Sequence, residues 1–335
     1  MKITKKIARE IIFPMITLTG SEKLLSFFTK NSILNVMYHG VVNKDSSGYT
    51  ARHIDAKQFE KQLKYYRSNF ELISVSEAFE RHRSGGNGNR KTLTISFDDG
   101  YLNNLTVALP LIEKYEIPAT FFISGFVAEN KGNDLLYADV LDVLRFLKKN
   151  ETIRIDDLDI ENGFIKNLGI SLLDYLKSAH PEKRDHLIRT ITEQLDVINQ
   201  LKNIDSQIWQ LLDSKSLVKL SQSRFVEIGS HGHNHYNLGM IPEEFAKKEL
   251  IMSKNALEQI IQKDVDMIAY PDGCYNTRVK ELADQAGYTM QLAVEYKSVD
   301  DMSDYRVLPR HGISSTTTFD SNMIFLHRAF KHTGF

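Results

Sequence analysis

Cysteine is almost missing from this chain: Cys274 stands alone among 335 residues. A single thiol excludes an intramolecular disulfide and a cysteine-built zinc site. An excess of either charge is missing as well. The sequence carries 42 Lys and Arg against 43 Asp and Glu, a formal net charge of −1. That leaves no broad basic field to attract nucleic acid. No apolar run reaches the roughly 18 residues that a membrane-spanning helix requires. No internal repeat marks a solenoid or propeller.

What is present belongs to a folded, soluble chain. Hydrophobic residues make up 42% and charged residues 25%, which excludes a disordered polymer. The length exceeds a typical single domain and predicts one large α/β domain or a domain with an insertion.

The N-terminus has the outline of a signal peptide. Lys2, Lys5 and Lys6 precede the run Ile11-Ile12-Phe13-Pro14-Met15-Ile16-Thr17-Leu18. Arg9 and Glu10 border that run, Pro14 and Thr17 interrupt it, and no small-x-small cleavage site follows. Ser21 to Phe28 reads as an amphipathic helix. We therefore expect residues 1–32 to form a retained, cytoplasmic helical segment packed on the domain. A basic, apolar terminus of this kind can also rest on an inner-membrane surface.

Beyond it the pattern alternates strand and helix. Strands are predicted over 33–38, 92–97, 119–123, 225–230, 265–270, 290–294 and 306–314, with a short one over 70–73. Helices are predicted over 56–68, 103–115, 242–262, 276–286 and 319–331. In Thr92 to Phe97 the apolar Leu93, Ile95 and Phe97 alternate with Thr94 and Ser96. Strand, helix, strand at this spacing predicts βαβ units and a parallel sheet. Residues 134–222 break the pattern. Leu141, Leu144, Leu147, Leu187, Ile191 and Leu195 fall at helical spacing and strand signals are few, so this stretch is expected to be an inserted, mainly helical subdomain. Residues 33–133 and 223–335 then make the main domain.

Two clusters carry chemistry. Asp98-Asp99 ends a predicted parallel strand, where active sites of α/β folds gather. One carboxylate can bind a metal while the other faces a substrate; a helix N-cap pair is the competing reading. His231-Gly232-His233-Asn234-His235 follows another predicted strand. On a helical turn His231 and His235 would share a face and an ion, with His233 turned elsewhere. With Asp99 they give two imidazoles and one carboxylate, the ligand count of an open, catalytic metal site.

Taken in order, these segments resemble the polysaccharide deacetylases, the NodB-homology or carbohydrate esterase 4 family. Ser96-Phe97-Asp98-Asp99-Gly100 resembles the first motif and His231-x-x-x-His235 the second. Ala269-Tyr270-Pro271-Asp272-Gly273 resembles a variant of the third. Met37 to Val41 and Leu308-Pro309-Arg310 resemble flanking segments, so the likeness spans about residues 33–315. It implies a distorted (β/α) barrel of about seven strands and hydrolysis of an acetamido group on a sugar. It implies Asp98 as general base and Asp99, His231 and His235 as the metal triad; two imidazoles and one carboxylate fit Zn²⁺, the metal expected here, and also accept Co²⁺, Ni²⁺, Mn²⁺ or Fe²⁺. The backbone N–H of Asp272, beside Tyr270 and Pro271, would serve the oxyanion.

Several positions depart from the family pattern. Gly232 replaces the usual Ser or Thr, which would loosen the histidine turn. The Arg that commonly braces the catalytic Asp is missing from the third motif, and Arg310 is either its substitute, as a guanidinium suits a carboxylate, or a strand-end surface residue. The usual acidic histidine has no clean match: His327 falls on a predicted helix, while His39 and His311 each sit at a strand end. Tyr137 and Trp209 of the insert are candidates for stacking on a sugar or for packing within the insert.

The expected substrate is an N-acetylated sugar of a bacterial surface polysaccharide or its precursor. For a cytoplasmic enzyme a nucleotide- or lipid-linked sugar fits better than finished polymer. O-deacetylation, another amide, or a catalytically inactive carbohydrate-binding role remain open on the sequence. Oligomeric state is not readable.

Overall fold

The computed structural model describes residues 8–26, 32–44, 48–85, 91–129 and 135–330. Lys2, Lys5, Lys6, Phe27, Phe28, residue 134 and most of the Ser84–Asn89 loop lie outside the described residues.

Seven parallel strands close on themselves: β1 (Ser32–Tyr38), β2 (Lys91–Phe97), β3 (Ala119–Ile123), β4 (Val226–Ser230), β5 (Met267–Ala269), β6 (Met290–Ala293) and β7 (Val307–Gly312). Each neighbours its sequence successor, and β1 pairs with both β2 and β7. The expected (β/α) barrel is the observed fold. A two-residue strand, Glu71–Leu72, lies against the start of β2.

Alternation along the strands sorts residues into two cores. Leu34, Val36, Leu93, Ile95, Phe97, Phe121 and Ile268 face outward, into the layer between barrel and helices. Ile33, Phe122, Met290, Leu292 and Leu308 face inward. There they meet Val75 and Phe79 of α2 (Val75–Arg83), which plugs the end from which the strands start. That helix was not foreseen. Its N-terminus is capped by Ser74 and by Glu227 on β4, whose carboxylate accepts from the Val75 and Ser76 N–H groups at 3.1 and 3.3 Å. Before it, α1 (Ala56–Asn69) begins at Asp55, which accepts from the Lys57 and Gln58 N–H groups.

The inserted subdomain has its own core of Val140, Leu144, Ile160, Leu172, Leu187 and Ile191. Three of its helices matter below: α3 (Tyr137–Leu147), α4 (Leu172–Ser178) and α5 (Pro181–Gln194). Helices make up most of it, as expected, but residues 152–171 also form a four-stranded antiparallel sheet that the sequence reading did not include. Asn162-Gly163, both at positive φ, make one of its turns, a hairpin signal legible in the sequence. The insert also ends near 210 rather than 222. Leu211, Leu212, Leu217 and Leu220 join the barrel core, and Leu212 donates its N–H to Gly100 O at 2.9 Å.

At the N-terminus, Ala8–Leu18 is helical and Ser21–Ser26 is a 3₁₀ turn. Both pack on α7, where α6 is Glu243–Ile261 and α7 is Phe319–Ala329. Phe13 meets Phe325 edge-on, and Thr17 bonds Asp320. No helix among the described residues is long and apolar enough to cross a membrane.

Candidate active site

Inward parity carries four strands' worth of chemistry to one rim. Beyond Asn35 and Met37 the next inward position is His39; beyond Thr94 and Ser96 it is Asp98. Beyond Gly229 it is His231, and on β7 it is Arg310, two residues after Leu308. All four line one cavity of about 360 Å³ with Asp99, His235 and Asp272. The same parity sends two expected site residues away. Tyr270 faces outward, fully buried, its hydroxyl bonded to Gln291 at 2.6 Å and its ring stacked on Tyr275. His311 also faces outward, into a separate cleft with Leu34, Tyr296 and Pro309. Neither touches the cavity. Pro271 is buried beneath the loop, against Gly232.

Arg310 grips Asp98 with two parallel bonds, Nη1 to Oδ1 at 2.6 Å and Nη2 to Oδ2 at 2.9 Å. This is the fork geometry that suits a carboxylate. Burial by itself raises the Asp98 pKa, but the Arg310 charge, His231 and the two bonds outweigh it and leave the carboxyl below its usual range. Asp98 is thus an oriented, ionised acceptor at neutral pH.

His231 offers one nitrogen inward. Its Nδ1 lies 2.7 Å from Ala269 O, a contact that assigns the proton to Nδ1 and leaves the Nε2 lone pair free. Burial pushes its pKa down to about 4, so the ring is neutral. Yet Nε2 sits 3.7 Å from Asp98 Oδ2 and 3.7 Å from Asp99 Oδ1. A lone pair aimed at two carboxylate oxygens is repulsive unless a cation lies between them. His235 Nε2 approaches Asp99 Oδ1 at 3.2 Å, and the ligand atoms of Asp99, His231 and His235 all fall within 4.8 Å of one another. These three residues fit a divalent metal by donor type and convergence.

The convergence does not come from a helical turn, as the four-residue spacing suggested. The chain folds back through Gly232 (φ 71) and His235 (φ 57), which brings the two imidazoles to 4.8 Å. Asp99 (φ 77) and Asp272 (φ 54) are likewise left-handed, a conformation costing roughly 1–2 kcal/mol for a residue with a Cβ. Gly232 is where the left-handed turn needs no such cost. It does not loosen the loop, because Glu249 of α6 braces it. Its carboxylate accepts from the His233 and Asn234 N–H groups at 2.9 and 2.7 Å and from Asn234 Nδ2 at 2.7 Å. The sequence reading missed Glu249; a buried acid amid apolar helix positions was the available signal. His233 turns away and packs on Gly125.

The insert closes one side of the cavity with Leu136, Tyr137, Leu141 and Lys177. Lys177 Nζ bonds Asp272 Oδ1 at 2.6 Å, so the Asp272 side chain ties the insert to the barrel rim. Arg52 reaches across to Asp142 at 2.9 Å and also pairs with Asp139. Trp209 does not reach the cavity. It packs on the insert core and directs Nε1 towards Ile204 O at 3.4 Å.

Comparison with known proteins now bears on these residues. The sequence profile of the polysaccharide deacetylase family matches residues 85–163 and 166–291. YxkH of Bacillus subtilis, named for the same family, is 22% identical over 261 residues, 78% of this chain and 63% of that one. The poly-beta-1,6-N-acetyl-D-glucosamine N-deacetylase of Staphylococcus aureus is 29% identical over 149 residues, 37% of this chain and 50% of that one. The chain thus spans between half and two thirds of these relatives. In fold it is similar to Streptococcus pyogenes deacetylase PplD in complex with acetate (TM-score 0.57, 16% identity, 89% of this chain and 98% of the other). It is also similar to IcaB from Ammonifex degensii (TM-score 0.54, 14% identity, 89% and 97%). With a matching profile over more than half its length and the barrel to go with it, this chain belongs to the polysaccharide deacetylase family.

Proposed function

We propose that this protein is a divalent-metal-dependent hydrolase that removes the N-acetyl group from a sugar of a bacterial surface polysaccharide or its precursor. The single observation that carries the reading is the pairing of an Arg-clamped carboxylate, Asp98, with the Asp99–His231–His235 set on one cavity. The name of the Staphylococcus aureus relative makes β-1,6-linked N-acetylglucosamine the first substrate to test.

Asp99, His231 and His235 would hold the cation, which supplies Lewis acidity toward water and the acetyl carbonyl. Asp98 accepts the proton of the attacking water, held in position by both Arg310 bonds. His39, half-buried at the same rim, would protonate the leaving amine. Its rival His311 is turned out of the cavity by strand alternation. Asp272 lines the cavity, and its N–H would serve as the oxyanion donor. Tyr137 and Leu141 form the apolar wall against which a sugar face can lie. The Lys177–Asp272 and Arg52–Asp142 ties narrow the entrance from the insert side.

Metal analysis and acetate release, measured on N-acetylated oligosaccharides and on lipid- or nucleotide-linked N-acetylhexosamines, test the proposal. The wild type is expected to hold metal and release acetate. Asp98→Asn is expected to keep the metal and lose roughly 10²–10⁴-fold in kcat. Metal without acetate release on any N-acetyl substrate would shift the reading to an O-acetyl ester or another amide.

A further inference from the structure

We infer that Arg184, on α5 of the inserted subdomain, is a positioning residue for the metal ligand His235, so that the insert is a structural part of the metal centre. The inference rests on the metal reading above and adds a residue that neither the family motifs nor the cavity walls point to.

Arg184 is 6% exposed. Its Nη1 donates to His235 O at 2.8 Å and its Nη2 to Asn234 O at 3.1 Å. The guanidinium is layered between two rings, 4.2 Å from the Tyr137 centroid and 4.5 Å from that of Tyr236. Tyr236 is held in turn by Asp185, hydroxyl to carboxylate at 2.5 Å. Among the described residues no carboxylate is bonded to this buried cation. Its compensation is two backbone carbonyls and two π faces.

Placing a cation there is expensive, and the geometry shows what it secures. The turn at His235 is left-handed (φ 57), so its peptide groups lie outside any helix or strand ladder and need partners elsewhere. Glu249 takes up the N–H groups of His233 and Asn234 from the barrel side. Arg184 takes up the carbonyls of Asn234 and His235 from the insert side. The two clamps fix the peptide planes on either side of the ligand and hence the direction of its imidazole. A planar fork can bridge adjacent carbonyls; a lysine ammonium cannot reproduce that span.

The test measures metal rather than turnover. Zn²⁺ affinity, read by competition with a chromophoric chelator, and the visible spectrum of the Co²⁺-loaded protein are compared among wild type, Arg184→Lys, Arg184→Ala and Leu187→Ala. Leu187 lies one turn along α5 in the insert core, so its truncation loosens the insert while leaving both Arg184 bonds. Arg184→Lys is expected to weaken Zn²⁺ binding about 10–100-fold and to alter the Co²⁺ spectrum. Arg184→Ala should do the same and be partly restored by added guanidinium but not by equal sodium chloride. Leu187→Ala should lower the melting temperature without moving the metal affinity. If Arg184→Ala does not fold, the lysine variant decides. Unchanged affinity and spectrum in Arg184→Lys, or an equal loss in Leu187→Ala, would overturn the inference while leaving the metal reading intact. A wild type that binds no metal would take down both.

Discussion

The two ends of the barrel each bury a histidine among polar partners, and they differ in how the histidine's two nitrogens are used. At the closed end His327 uses both nitrogens. Nδ1 meets Ser26 Oγ at 2.6 Å and Nε2 meets the Tyr65 hydroxyl at 2.8 Å. Tyr65 donates on to Glu22 at 2.7 Å, and Lys91 Nζ donates to Ser26 at 2.9 Å. The result is a bolt that joins the N-terminal segment, α1 and α7. At the open end His231 spends one nitrogen on Ala269 O and points the other at two carboxylate oxygens that cannot donate to it. Asp99 Oδ1 lies 3.2 Å from His235 Nε2 and 3.7 Å from His231 Nε2, donor atoms that one cation can share. A row of Ser, His and Glu can therefore be pure structure, while an imidazole lone pair aimed at carboxylate oxygens fits a cation.

The contrast can be broken first by paired truncations. His235→Ala should abolish stoichiometric metal and with it acetate release. His327→Ala should leave both unchanged and cost stability alone, on the order of 1–3 kcal/mol for unmade buried hydrogen bonds. Equal loss of metal in both variants, by elemental analysis, would erase the distinction between the two ends.

Acid sharpens it next. Burial holds His327 at about 4, below its ordinary value, with Lys91 and Lys23 adding to the effect. The unfolded chain then binds a proton that the folded chain refuses, so stability falls as pH drops from about 6.5 to about 4. Each pK unit is worth about 1.4 kcal/mol, so the loss amounts to a few kcal/mol at most. His327→Gln should flatten this part of a denaturation-versus-pH curve. His231 is also held low by burial, so its share should respond to metal loading and the His327 share should not.

The smallest expected effect is at Asp98. Arg310→Met removes the charge and both bonds that hold the Asp98 pKa down and leaves burial, which raises it, unopposed. The acid limb of the kcat/KM profile should move to higher pH, by about one unit or more. A limb that stays put would remove Asp98 from the role of base.

Much of the barrel was legible because period-2 alternation in Thr92–Phe97 and the spacing of strand and helix are local properties. Strand ends were mostly right to within one or two residues. Misses came where the pattern was short or where context overrode it. The hairpins of the insert hide in stretches of four residues, and helix α2 is too short and too mixed to announce itself. The boundary near 210 was invisible because Leu211 to Leu220 look equally apolar whichever core they enter.

The site divides along the same line. Asp98, Asp99, His231 and His235 could be singled out from residue type and order. Inward-facing His39 and Arg310 could not be told from outward-facing His311 and Tyr270 without the register of the closed sheet. The sequence by itself determined the strand periodicity, the chemistry available at the strand ends and the family to which they belong. Only the tertiary structure decided which face each strand end presents. It also decided which long-range partners, Arg184 and Glu249, hold the histidine turn. Arg184 lies 50 and 51 positions, and Glu249 15 and 16 positions, from the groups they grip, and their pairing is set by the closure of the barrel and the docking of the insert rather than by any local preference.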